Sequence, residues 1–255
     1  MRKTKIWMLI IISIMCMMLL SSEAIAAPGI SVSDNGITIN STDDPQEISN
    51  SIKLLLLLTV LSVLPSILIM MTSFTRIVIV FSFLRNSMGT QQIPPNQVVI
   101  GLALFLTFFI MTPVLTEINK TALEPFANNE ISIEQAMDNS SDTIKEFMLK
   151  YTREKDLALF AGIAKVEAPE KLVDLPITVV MPAFMISELN TAFRMGFMLY
   201  IPFLVIDMVV ASTLMAMGMM MLPPVMISMP FKILLFLLVD GWNLITETLI
   251  KSFVR

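Results

Sequence analysis

Residues 193–252 read FRMGFMLYIPFLVIDMVVASTLMAMGMMMLPPVMISMPFKILLFLLVDGWNLITETLIKS. Two apolar arms flank Pro223-Pro224, and proline lacks the amide donor that a helix interior needs while restricting the residue before it. The pattern predicts a helical hairpin, with helices over 193–221 and 225–252. Asp207, Lys232 and Asp240 interrupt the arms, and a charge at mid-bilayer costs roughly 2.5–3.5 kcal/mol on insertion scales. These groups must therefore pair or face water. Asp207 and Lys232 lie on opposite arms at similar distances from the turn, which predicts a buried ion pair between them. Asp240, Asn243, Glu247 and Lys251 are spaced so that an ideal helix carries them on one face, and a polar stripe on an apolar helix predicts a lumen or a partner.

Composition agrees with a lipid environment. The chain has 255 residues, of which 55% are hydrophobic and 15% charged, against about 25% charged in ordinary soluble chains; mean hydropathy is +0.79. There is no His and a single Cys, Cys16, so His-based metal sites, a His-based triad and an intrachain disulfide are excluded. Seventeen bases stand against 21 acids with no basic block, so nucleic acid is not an expected partner. Neither the phosphate-cradling GxxxxGK[ST] loop nor a GxGxxG turn occurs. No enzyme activity and no cofactor are expected.

At the amino terminus, Arg2, Lys3 and Lys5 precede an apolar run to Leu20, and Ala24-Ile25-Ala26 has the small-x-small spacing that signal peptidase reads. Residues 1–26 are expected to be a cleaved signal peptide that carries Cys16 away with it. Residues 27–51, with Asp34, Asp43, Asp44 and Glu47 among Ser, Asn and Gly, are expected to be a disordered acidic tail. Uncharged runs then predict spans at 54–75 and 98–115. The segment between them holds Arg76 and Arg85 and no acid, whereas 117–174 is rich in acids. The positive-inside bias puts residues 76–97 in the cytoplasm and 117–175 outside with the mature amino terminus. In that outer insert Ser132 and Gln135 form a capping-box pattern, and Ile133, Met137, Ile144, Phe147, Met148 and Tyr151 recur at helical spacing. An amphipathic helix or helical pair over 132–160 follows, with an apolar face that needs a partner.

Several blocks resemble the FliP family of flagellar type III export-gate proteins: Met181-Pro-Ala-Phe-Met-Ile-Ser-Glu-Leu189, Phe193-Arg-Met-Gly-Phe197 and Ile201-Pro-Phe-Leu-Val-Ile-Asp-Met-Val-Val-Ala-Ser212. Glu146–Phe160, Met217–Pro224 and Val239–Trp242 are similar to further family blocks. The likeness runs from about Glu47 to the end and makes 52–255 an export-gate domain. It implies an all-α membrane protein of helical hairpins with an amphipathic extracytoplasmic insert, forming an oligomeric pore in the bacterial inner membrane at the flagellar basal body. Further copies, FliQ, FliR, FlhA and FlhB are the implied partners, and unfolded flagellar subunits the cargo. It further implies that Met219, Met220 and Met221 form a pore gasket, and that Arg153 and Glu188 make subunit contacts. A reading from another class is an ion or solute transporter using Asp207, Lys232 and Asp240 as a proton relay, although no internal repeat of the kind that marks many transporters is visible.

Overall fold

The computed structural model describes residues 30–33, 36–39, 45–90, 93–166, 171–219 and 221–253. The expected signal peptide and Met220 lie outside these residues. Contact clustering divides the chain into residues 1–63 and 64–255.

In the first unit, strands β1 (Ile30–Ser33) and β2 (Gly36–Ile39) pair antiparallel, with Ile30 opposite Ile39 and Ser33 opposite Gly36. The stretch read as a disordered tail thus contains a short hairpin. The signal was present: Ile30 and Val32, then Ile37 and Ile39, alternate with small polar residues or glycine as half-buried strands do. Helix α1 runs Pro45–Met70, beginning well before the expected position 54. Pro45 suits a first helical turn.

Within the second unit, the uncharged run 54–75 is not one helix. It ends at Met70, and α2 starts at Phe74 (Phe74–Ser87). Thr72 makes the break: its hydroxyl donates to the Ile69 carbonyl (2.8 Å) and accepts from the Phe74 amide (3.3 Å). Helix α2 occupies a segment read as an inter-span connection, and it belongs to the core, with Ile77, Val80, Phe81 and Leu84 all buried. Those four recur at the spacing of one helix face.

Helix α3 (Asn96–Ile118) covers the predicted second span and passes through Pro113. Threonine hydroxyls at 107, 112 and 116 donate to the carbonyl four residues back, so this apolar helix leaves none of them unsatisfied. A π-helical turn at Asn119–Leu123 leads to α4 (Glu124–Ala127). In the insert, α5 (Ile133–Tyr151) opens on a complete Ser132/Gln135 capping box. Of the helix or helical pair expected over 132–160 it is the pair that forms, because the backbone leaves the helical region at Thr152 and Arg153 before α6 (Glu154–Ala164). The Arg153 amide is taken by the Ser187 hydroxyl at 3.0 Å, not by an intrahelical carbonyl.

The first arm of the hairpin is longer than 193–221 suggested. Helix α7 runs unbroken from Ile177 to Ala216, 40 residues including Pro182 and Pro202. At 1.5 Å per residue it is about 60 Å long, twice the ~30 Å hydrocarbon layer. The second arm, read as one helix over 225–252, is α8 (Pro224–Leu238) and α9 (Gly241–Lys251), bent by 63°. The bend has a steric cause. Asp240 is left-handed (φ 49°), and the Phe236 ring occupies the space where a Cβ on Gly241 would stand. Trp242 then packs edge-on against Phe236, ring centroids 5.4 Å apart.

Two described helices are long and apolar enough to cross a membrane, and the bent α8–α9 pair makes a third if it counts as one span. This is an all-α membrane fold with one small amino-terminal hairpin.

Helices α2 and α7 pack tightly at Gly196, where an added Cβ would lie 2.5 Å from the Phe83 ring. Gly196→Val should therefore overpack this contact, at a cost of about 1–3 kcal/mol, and lower the unfolding temperature of the detergent-solubilised protein. Phe83→Ala in the same chain should return part of the loss. An unchanged unfolding temperature in Gly196→Val would contradict this packing.

Candidate functional site

Three polar clusters lie among the apolar helices, and each joins elements far apart in sequence. The deepest involves Arg76 and Glu188, whose side chains are 4% and 0% exposed. Arg76 on α2 offers a planar fork of donors that suits a carboxylate bidentately. Its Nε donates to Glu188 Oε2 at 2.8 Å and its Nη2 to Oε1. Its Nη1 donates to the Ser252 hydroxyl (2.9 Å) and to the Ser252 carbonyl (3.4 Å). The guanidinium carbon sits 3.8 Å from the Phe253 ring centroid, a cation–π contact. Tyr151, at the end of α5, donates its hydroxyl to the Phe253 carbonyl. One guanidinium thus ties α2, α7 and the carboxy-terminal turn together.

Glu188 is therefore fully engaged within its own chain. The surrounding chain encloses it completely and Arg76 donates to both its oxygens. The Glu188-bearing block was legible in the sequence; its partner was not recognised, because Arg76 was read only as a topological signal. An Arg placed one residue before Ile77, in a helix face that also holds Val80, Phe81 and Leu84, was the available clue.

The second cluster lies near the hairpin. Lys232 on α8 donates to Asp207 Oδ2 on α7 at 2.7 Å and to the Ser87 carbonyl at 3.1 Å. Ser87 is the last residue of α2, where helix carbonyls have no intrahelical partner and carry the negative end of the dipole. The Ser228 hydroxyl donates to Asp207 Oδ1 at 2.5 Å. The Lys232 side chain is 3% exposed and that of Asp207 25%. Desolvating both charges is expensive, and the two serine contacts supply the extra hydrogen bonds that such a pair requires.

The third cluster joins the insert to α7. Arg153 Nε donates to Asp156 Oδ2 at 2.7 Å, and the Ser187 hydroxyl donates to the same oxygen at 2.6 Å. Burial by itself would push the Asp156 carboxyl upward; the hydrogen bonds from Ser187 and Arg153, with the charges of Arg153 and Lys155, outweigh it and hold the carboxyl below its ordinary value. The Arg153 side chain stays 26% exposed beside this pair.

The stripe on α9 is reduced to Asn243, Glu247 and Lys251. All three are exposed, and Glu247 and Lys251 form an exposed ion pair at 2.6 Å. Asp240 precedes the first turn in a left-handed conformation, so ideal helical spacing does not apply to it.

Between α7 and α8 the chain closes with a Schellman motif: Gly218 is left-handed (φ 74°), its amide reaches the Met215 carbonyl, and the Met219 amide reaches that of Leu214. Met219 is 48% exposed and Met221 99%. The prolines then start α8, with Pro223 as its cap residue.

Removing one partner of the second cluster strands a buried charge, so Asp207→Ala should destabilise the protein by roughly 3–5 kcal/mol. The exchange Asp207→Lys with Lys232→Asp should recover part of the unfolding temperature that each single change loses; no recovery would count against direct pairing. For Asp156 the depressed carboxyl means that its stabilisation is present above the ordinary carboxylate range and disappears as pH falls through the lowered value. Unfolding temperature should accordingly fall more steeply in acid for the unaltered chain than for Asp156→Asn, and parallel acid limbs would refute the assignment.

A sequence profile of the FliP family matches residues 57–249. The Flagellar biosynthetic protein FliP of Bacillus subtilis (strain 168) is 65% identical over 217 residues, 85% of this chain and 98% of that protein. That of Pectobacterium carotovorum subsp. carotovorum is 54% identical over 203 residues, 80% of this chain and 79% of its own length. That of Aquifex aeolicus (strain VF5) is 53% identical over 206 residues, 80% and 86% of the respective chains. With its buried charge clusters set among apolar helices long enough to cross a bilayer, the chain belongs to the FliP family.

Proposed function

We propose that this chain is a pore-forming subunit of the flagellar type III protein export gate, conducting unfolded flagellar subunits across the inner membrane. The observation that carries the reading is the tip of the α7–α8 hairpin. Met221 is 99% exposed and Met219 and Leu222 are half exposed in one copy, an arrangement that has a purpose if several copies bring the same tips to a common axis. Methionine suits that axis. Three rotatable bonds and a polarizable thioether let the side chain close an empty passage and conform to whatever passes. Met220, between them, belongs to the same proposed gasket.

The exposed apolar faces support assembly as well. Phe197, Met198, Met208 and Val209 on α7 are each more than half exposed, and helix faces of this kind call for protein or lipid. Further copies, FliQ, FliR, FlhA and FlhB are the partners that family membership suggests. In this arrangement the mature amino terminus and residues 117–175 face the periplasm, and Arg153, which keeps part of its guanidinium outside the Asp156 contact, is placed to meet a neighbouring copy.

A proton relay is less well supported. Asp207 and Lys232 are taken up by each other and by Ser228 and Ser87, and Asp240 is not among the partners of either.

Met219→Ala, Met220→Ala and Met221→Ala combined should make cells expressing the assembled gate leak small ions while the protein still accumulates and assembles. The readout is membrane potential, compared with cells carrying the unaltered chain. A variant that assembles and leaves the potential unchanged would remove the gasket from the account.

A further inference from the structure

Two exposed features of residues 64–255 are complementary and neither has a partner within the described chain. The first is concave. Val80, Arg194, Met195, Phe197, Ile245 and Thr248 line a groove of about 600 Å³ between α2, α7 and α9. Arg194 is its one charged group, is exposed, and makes no ion pair among the described residues. The second is the corner where α8 bends into α9. Leu237, Leu238 and Val239 are 69%, 76% and 51% exposed, and Asp240 follows them, exposed and held left-handed by the bend. The Asp240 carboxylate likewise makes no ion pair among the described residues. One surface is an apolar hollow with a single cation; the other is an apolar corner with a single anion.

We propose that the Leu237–Asp240 corner of one copy seats in the Arg194 groove of the next, with Asp240 paired to Arg194. The proposal deepens the assembly reading above and rests on it. The occupant is a second copy because the complementary charge and the complementary apolar surface occur together on this same chain. The axial levels are compatible. The groove lies beside Ile245 and Thr248 on α9, and Asp240 caps the amino-terminal end of the same helix; a modest axial step between copies and the long arginine side chain bring the two charges together. Hollow and corner are different patches, which makes the contact heterologous: repeated, it generates a ring or a helical stack rather than a closed two-fold dimer. It also gives the bend at Gly241 a use, since a straight α8–α9 helix would not present Leu237–Asp240 as a corner.

The test uses the full-length chain in native membranes, co-expressed as two differently tagged forms, one Arg194→Cys and the other Asp240→Cys, with Cys16 replaced by Ser in both. Mild oxidation should join the two tags into one disulfide-linked species, and a doubly substituted chain should give a ladder of linked oligomers. In parallel, native gels follow assembly. Arg194→Asp and Asp240→Arg should each lower the assembled fraction by roughly tenfold or more, since like charges face each other across the contact, and the two changes in one chain should restore it.

Linkage of Arg194→Cys to a Glu247→Cys chain but not to Asp240→Cys would overturn the pairing. So would the absence of any linkage while native gels still show large oligomers, in which case the assembly reading survives and lipid or another partner fills the groove. A monomer on native gels for the unaltered chain would remove both. Because the cysteine sites are exposed, they report on the contact even if a charge-reversed chain fails to accumulate.

Discussion

A charge buried away from water must be matched where it lies, and the architecture of residues 64–255 follows from that constraint. Arg76 and Glu188 are almost wholly inaccessible. Either one alone would be a stranded ion, so α2 and α7 are held in one register, with Nη1 of the guanidinium reaching the carboxy-terminal turn at Ser252. Lys232 repeats the arrangement at the other end of α2, where it joins Asp207 on α7 to the Ser87 carbonyl. Helix α2 thus carries one ionic tie near each end, and the apolar contacts of Ile77, Val80, Phe81 and Leu84 lie between them. Replacing such pairs by apolar residues is often neutral or stabilising. The role we assign them is accordingly register rather than raw stability: they fix which turn of α7 faces which turn of α2.

That register matters because so much apolar surface is left uncovered. Helix α7 is twice as long as the hydrocarbon layer is thick, and one of its faces is lined with exposed Phe, Met and Val. A single copy cannot cover this surface, and in the proposed assembly neighbouring copies do. The charged groups then divide by role. Those satisfied within the chain (Arg76, Glu188, Asp207, Lys232, Asp156) build the subunit, while those left open at the surface (Arg194, Asp240 and part of Arg153) are available to join subunits. In the same proposed assembly the methionine turn at the hairpin tip stands apart from both sets, without charge, as a seal around passing chains of any composition would require.

The sequence displayed the hairpin and its turn openly, since Pro223-Pro224 interrupts a long apolar run, and it displayed the Asp207–Lys232 pair through their matching distances from that turn. The Ser132/Gln135 cap was equally legible, because a capping box is a local device. What could not be read were the consequences of packing. The bend at Gly241 depends on the Phe236 ring, and the break at Arg153 depends on a hydroxyl 34 residues away. Helix α2 is masked for a different reason: its two arginines read as topological markers, although its apolar residues trace one helical face. Glu188 was singled out from its block, but its partner lay 112 positions earlier, and no local pattern links them. Ser187 and Ser228 give no signal at all, since a serine in an apolar helix looks the same whether or not an ion lies beside it, and at position 87 it is the backbone carbonyl, which any residue would supply, that meets Lys232.

The claim beneath this account is that protein, not acyl chains, surrounds the polar groups and the exposed face of α7 once copies assemble. Spin labels at Met208 and Asp240 in bilayers test it most directly, by comparing collision with oxygen, which concentrates in lipid, against collision with a water-soluble relaxant. In the assembled state the account predicts low oxygen collision at both sites. High oxygen collision at both, in a species that remains a single subunit, would contradict it.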